Sequence, residues 1–184
     1  MTQEDEGGVA TIQPNYAVEA IRSANEIHRE ITDDDVRVLG YPKYLAEFDV
    51  ELRRVFMSNR HVQDSVTIDG ISGGGMRNDV FPEIERRDIP KSALLRPRLE
   101  ESDALASAED VVRRHVSLHY PQAVLIFGIQ ELTVVRSVLA YKLFWIVPDD
   151  PAEDSVSIFD TITGDVIEQG VSLAKLTADD LSDR

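Results

Sequence analysis

The chain has 184 residues, 34 of them acidic and 19 basic, for a formal charge of −15. That field repels nucleic-acid phosphates, and a 42% hydrophobic share fits a folded protein rather than a disordered one. No apolar run is long enough to span a bilayer, the acidic start Met1 to Gly8 does not read as a secretory signal, and the lack of cysteine removes thiol nucleophiles, disulfides and Cys-ligated zinc. A cytoplasmic location, with no nucleic-acid or membrane partner, is the resulting expectation.

Residues 1–11 read as a flexible acidic leader. From Tyr16 onward, Ala17, Ala20, Ile21, Ala24, Ile27 and Ile31 fall at helical spacing behind Pro14, which predicts a helix closed by Asp33 to Asp35. Between Tyr44 and Leu52, apolar residues alternate with Glu47, Asp49 and Glu51, the pattern of a half-buried strand. Met57 to Arg60 reads as a turn, Val62 to Asp69 as the returning strand, and Gly70 to Gly75 as the end of a first unit, 12–78. Pro82, Pro90 and Pro97 mark 79–98 as an extended connector.

A second unit, 99–170, follows. Leu105, Ala108, Val112, Val116 and His119 predict a helix with one shared face, ended by Pro121. Ala123 to Phe127 suggests a short strand, with Leu132 to Val135 continuing or pairing with it. Val138 to Val147 is a longer strand, Pro148 to Asp154 a loop, and Ser155 to Phe159 the last strand. The remainder, 171–184, reads as a tail.

The two units look alike. Asp64 to Gly73 matches Asp154 to Gly164 with Phe159 inserted, and each ends in Asp-x-x-(Ser/Thr)-Gly: Asp69, Ser72 and Gly73 in one, Asp160, Thr163 and Gly164 in the other. An Asp leaving a strand accepts from backbone N–H groups two and three residues on, Ser or Thr reinforces the turn, and Gly supplies a positive φ. The fold expected is therefore α+β, with two duplicated helix-plus-antiparallel-sheet units packed together. The second unit resembles a PepSY-type domain, with Leu99, Ala104, Tyr141 to Val147, Val156, Ile158, Asp160, Thr163, Gly164 and Val166 in the pattern positions. The first resembles it through Val66, Ile68, Asp69, Ser72 and Gly73. The resemblance implies tandem non-catalytic modules associated with protease inhibition or regulation of neighbouring domains.

The acidity has a particular character. Only four of the basic residues are lysine: Lys43, Lys91, Lys142 and Lys175. Abundant Asp, scarce Lys and retained Arg resemble the composition of haloarchaeal proteins, adapted to salt strong enough to screen self-repulsion.

Several patterns could carry chemistry. Gly70-Ile71-Ser72-Gly73-Gly74 spells a nucleophile elbow, with His115 or His119 downstream as base, so a small serine hydrolase is one alternative. No helix is predicted after Ser72, however, which favours a turn. His115 and His119 sit four apart, as in a zinc site, yet no third ligand is evident. Neither a metal nor a cofactor is expected: Gly73-Gly74-Gly75 lacks the Lys and helix start of a phosphate loop, and Asp160 to Asp165 lacks the ligand density of a calcium loop. The strand Val138 to Val147 is apolar on both faces and needs cover twice. Leu139, Tyr141, Leu143 and Trp145 on one face are the candidate partner-binding residues, for a protein partner or a homodimer. The reading is a non-catalytic interaction or regulatory module. A small-ligand module with a pocket between sheet and helix is the other alternative.

Overall fold

A computed structural model describes residues 15–22, 37–54, 56–121, 123, 127–149 and 155–172. The expected leader, the Asp33 to Asp35 turn, and most of the expected loop and tail lie outside these residues. In chain order the elements are β1 (Asn15–Ile21), β2 (Arg37–Leu52), β3 (Arg60–Asp69), β4 (Gly75–Asn78), β5 (Ile84–Pro90), a 3-10 turn (Lys91–Ala93), α1 (Glu101–His119), β6 (Ile129–Pro148), β7 (Ser155–Asp160) and β8 (Val166–Ser172). They build one eight-stranded mixed sheet in the order β4-β3-β2-β6-β1-β5, with β7 paired to β6 and β8 to β7.

This corrects the expected fold class. Among the described residues two duplicated helix-plus-sheet units are not present: the start of the first expected helix is the strand Asn15–Ile21, and its later positions Ala24, Ile27 and Ile31 lie outside those residues. β1 runs antiparallel to β5 from Asn15↔Pro90 to Ile21↔Ile84, and touches β6 in parallel at Ala20↔Tyr141. Val18 and Ala20 pack inward, a period of two inside a segment whose alanines also fit a helical spacing. Ala and Ile are compatible with either element, so the partners supplied by β5 and β6 decide. The expected connector is thus itself part of the sheet: Pro90 ends the outer strand, where a missing N–H costs nothing.

Two other expectations change. Ala123 and Phe127 have helical backbone rather than strand. Leu132 to Val135 and Val138 to Val147 belong to a single strand, β6, which bulges opposite Glu47 and Phe48 of β2. The expected β2–β3 hairpin forms in full register from Lys43↔Asp69 to Leu52↔Arg60.

α1 covers one sheet face. Ala104, Ala108, Val112 and Val116 meet Tyr44, Ala46, Phe48, Val50 and Leu52, the alternate residues of β2. Helical spacing of four meets strand spacing of two, and the two alanines let the helix lie close. Tyr44 fixes its approach by donating its hydroxyl to the Leu99 carbonyl at 2.8 Å. Farther along β6, Leu143 and Tyr141 join Ala20, Ile89 and Leu94 in a second cluster. The opposite face holds a third, around Tyr41, Phe144 and Ile158.

Candidate functional site

Strand alternation places Tyr41 and Lys43 of β2, Thr67 and Asp69 of β3, and Lys142 and Phe144 of β6 on the face away from α1. Two lysine–aspartate pairs stand there. Lys43 Nζ donates to Asp69 Oδ2 at 2.6 Å, with side chains 10% and 6% exposed. Lys142 Nζ lies 2.7 Å from Asp160 Oδ2, at 13% and 11%. Half of the chain's lysines are therefore nearly buried on one face of the sheet.

Each aspartate closes a turn of the same make. Asp69 Oδ1 accepts from the N–H groups of Ile71 and Ser72 at 2.8 Å, and Gly73 N–H donates to the Asp69 carbonyl at 2.9 Å. Asp160 Oδ1 accepts from Ile162 N–H at 2.8 Å, and Gly164 N–H donates to the Asp160 carbonyl at 2.8 Å. Gly73 and Gly164 have φ of 79° and 80°, a region that side chains with a Cβ avoid. Ser72 and Thr163 accept from the N–H of Gly74 and Asp165 through their hydroxyl oxygens.

Asp69 is the more heavily engaged. Tyr41 also donates its hydroxyl to Oδ1 at 2.9 Å, so four donors converge on one carboxylate. Burial alone pushes this carboxyl up. The Lys43 hydrogen bond and charge, with the two backbone N–H groups, outweigh it and hold the group below the ordinary carboxylate range. Lys43 Nζ sits 4.6 Å from the centre of the Tyr41 ring, and Lys142 Nζ 5.2 Å from that of Phe144.

Beside these groups opens a cavity of about 520 Å³, lined by Lys43, Asp69, Thr67, Asn78 and Lys142, with Ile21, Met76, Pro82 and Ile162 as apolar walls. It borders no residue of α1 and opens on the sheet's other face. Asn78 Nδ2 donates to Thr67 Oγ1 at 2.7 Å, which leaves the threonine's own proton to give. An ammonium has three N–H donors, and Asp69 takes one of those on Lys43. Since Asp69 already accepts from four donors, most of its acceptor capacity is taken up within the protein.

The residues singled out in the sequence fall in several places. Ser72 lines the cavity through its turn. His115 is on α1, where burial pushes its imidazole down, opposed by Asp64 and assisted by Arg77 and His119. His119 is exposed rather than on the helix's apolar face, and its Nδ1 lies 3.0 Å from the His115 carbonyl oxygen. The two rings lie close and tilted, 4.0 Å between centroids and 34° between planes. Among the described residues no hydrogen bond joins either ring to Ser72, and no three His, Asp or Glu side chains are grouped to hold a metal. Leu139 packs against the α1 cluster, while Tyr141 and Leu143 pack with β1, β5 and the 3-10 turn. Trp145 is half-buried between Val38 and Phe159 on the neighbouring strands. Much of the cover this strand needs therefore comes from its own chain.

Lys43, Lys142 and Tyr41 were missed as site residues. The signal was present: a chain with four lysines places two inside its longest strands, and Lys142 interrupts an otherwise apolar face running from Val138 to Ile146. Among the described residues no helix is long and apolar enough to cross a membrane. Comparison with protein-family models, curated proteins and solved structures found no match.

Proposed function

We propose that this protein is a non-catalytic binding module whose sheet-face cavity takes a small molecule carrying a carboxylate on a short apolar body. The observation behind this reading is the wall in which Asp69 already accepts from four donors while Lys43 and Thr67 keep protons to give. A carboxylate accepts from both, and the lysine bond is charge-assisted. Ile21, Met76, Pro82 and Ile162 supply the contact for an apolar body. Stability alone is a weak reason for these lysines, because a buried ion pair often does no better than apolar residues of the same volume.

A series of aliphatic and aromatic monocarboxylates, each matched with its primary alcohol, tests the reading by thermal shift. The acids should stabilise the protein, by about 2.7 kcal/mol at a hundredfold excess over Kd, and the alcohols much less. K43M/D69N removes the pair yet keeps an Oδ1 acceptor for the turn, so it should fold and lose the response. Equal shifts with acids and alcohols, or none with either, would sink the proposal.

A further inference from the structure

A second surface lies at the far end of the β2–β3 hairpin. Phe56 is 102% exposed and Met57 66%, at the tip of a connection in which residues 52–60 hold three arginines and no acid. Phe56 has a φ of 62°, a region strongly disfavoured for a bulky side chain, and strain of this kind persists where surrounding structure or use demands it. The arginines are built in rather than loose. Arg54 Nε donates to the Ser58 carbonyl at 3.1 Å across the tip, Arg60 stacks 4.6 Å over the Tyr120 ring, and Arg53 lies 5.6 Å from the Phe127 ring. The Arg60 contact joins the hairpin to the C-terminal cap of α1, near Leu118, which is 72% exposed. The nearest acids on β2, Asp49 and Glu51, are engaged by His61 and Asn59, and the exposed Glu131 on β6, across from Glu51, accepts from Thr133.

We infer that this end of the molecule docks on an anionic lipid surface, with Phe56 and Met57 entering the headgroup–acyl boundary and Arg53, Arg54 and Arg60 level with the phosphates. The tip's shape favours a bilayer over a protein partner. Phe56 and Met57 stand exposed at the turn, and a bilayer accepts a wedge without providing a shaped pocket. Charge complementarity is local: the tip is basic on a chain of net −15, and only charges within about a Debye length of the surface contribute. This is contact with a surface, not passage through it, and it is independent of the cavity on the sheet face.

The test is co-sedimentation with vesicles of equimolar phosphatidylglycerol and phosphatidylcholine, against phosphatidylcholine alone, in low and in molar KCl. In low KCl the wild-type chain should bind the anionic vesicles and not the neutral ones, a preference that fades in molar KCl. F56S/M57S should weaken binding by about tenfold or more at both salt levels. R53Q/R54Q should weaken it by about fivefold per arginine in low salt and little in molar salt. R86Q, on the exposed β5 at the sheet's edge, should change nothing, and circular dichroism reports whether each variant is folded. Absence of wild-type binding overturns the inference, as does binding that survives F56S/M57S. Loss in these variants of binding to an acidic polypeptide, with vesicles ignored throughout, would assign the tip to a protein partner and overturn it equally.

Discussion

The turns at Asp69 and Asp160 are written in nearly the same letters and close with the same backbone bonds, yet they are used differently. Asp69 stands directly across from Lys43, whereas Asp160 stands across from Phe144 and meets Lys142 from two residues along the same face. The first turn is held from both sides. Gly70 N–H donates to the Pro42 carbonyl, and Arg98 and Leu99 N–H donate to the Gly70 carbonyl, which ties the turn to the segment entering α1. The second docks on β6, where Thr161 donates its hydroxyl to the Leu143 carbonyl at 2.8 Å. A local code thus fixes the turn, while tertiary context decides whether its carboxylate becomes a hub. Tyr41 makes the difference visible, because it adds a fourth donor to Asp69.

Removing the carboxylates should separate the two turns most clearly. Asp69→Ala strands a buried ammonium, a tyrosine hydroxyl and two amides, and should cost about 3–5 kcal/mol in urea unfolding. Asp160→Ala should cost about 1–2 kcal/mol less, since Tyr41 is not among its donors. Equal losses would break the contrast. The close approach at Gly70 gives a second measure: a Cβ there would sit 2.9 Å from the Pro42 carbonyl oxygen, so Gly70→Ala should cost about 1–3 kcal/mol.

Gly73→Ala and Gly164→Ala test what the turns share. Their φ values agree within a degree, so both should lose about 1–2 kcal/mol, and similar losses would confine the contrast to the side chains.

Acid sharpens the comparison further. The depressed carboxyl of Asp69 contributes stability that is complete above its unfolded value of about 4 and lost as pH falls through the lower folded value. Asp69→Asn should therefore flatten the acid limb of the stability curve, measured by urea midpoint between about pH 5 and 2. His61 gives the smallest effect, away from both turns. The hydrogen bond and charge of Asp49 raise its imidazole, so any stability it adds is complete below its unfolded value and fades as pH rises through the folded one. Asp49→Asn should move its NMR titration down with no measurable change in unfolding.

The sequence disclosed local patterns better than partners. The β2–β3 hairpin was legible because Ala46, Phe48, Val50 and Leu52 alternate with acids. α1 was legible because Ala108, Val112 and Val116 recur at helical spacing. The Asp turns were legible because their hydrogen bonds lie within a few residues. β1 was not, since alanines at positions 17 and 20 suit a helix or a strand and its partner β5 lies some seventy residues away. The cavity was hidden for the same reason: Lys43, Asp69 and Lys142 meet only after β2, β3 and β6 are aligned. Reading β6 as apolar on both faces passed over the one lysine that breaks the pattern.

β6 pairs with β2 along most of its length and also takes β1 and β7. A ribosome releases residues 1–128 before any of that strand exists, so until then the open edge of β2 has no hydrogen-bonding neighbour from β6. The fold closes around a late-arriving spine, which makes its formation slow and its nascent chain dependent on protection of that edge. Moving the β6 segment ahead of β2 by circular permutation would remove that wait while leaving the finished sheet the same.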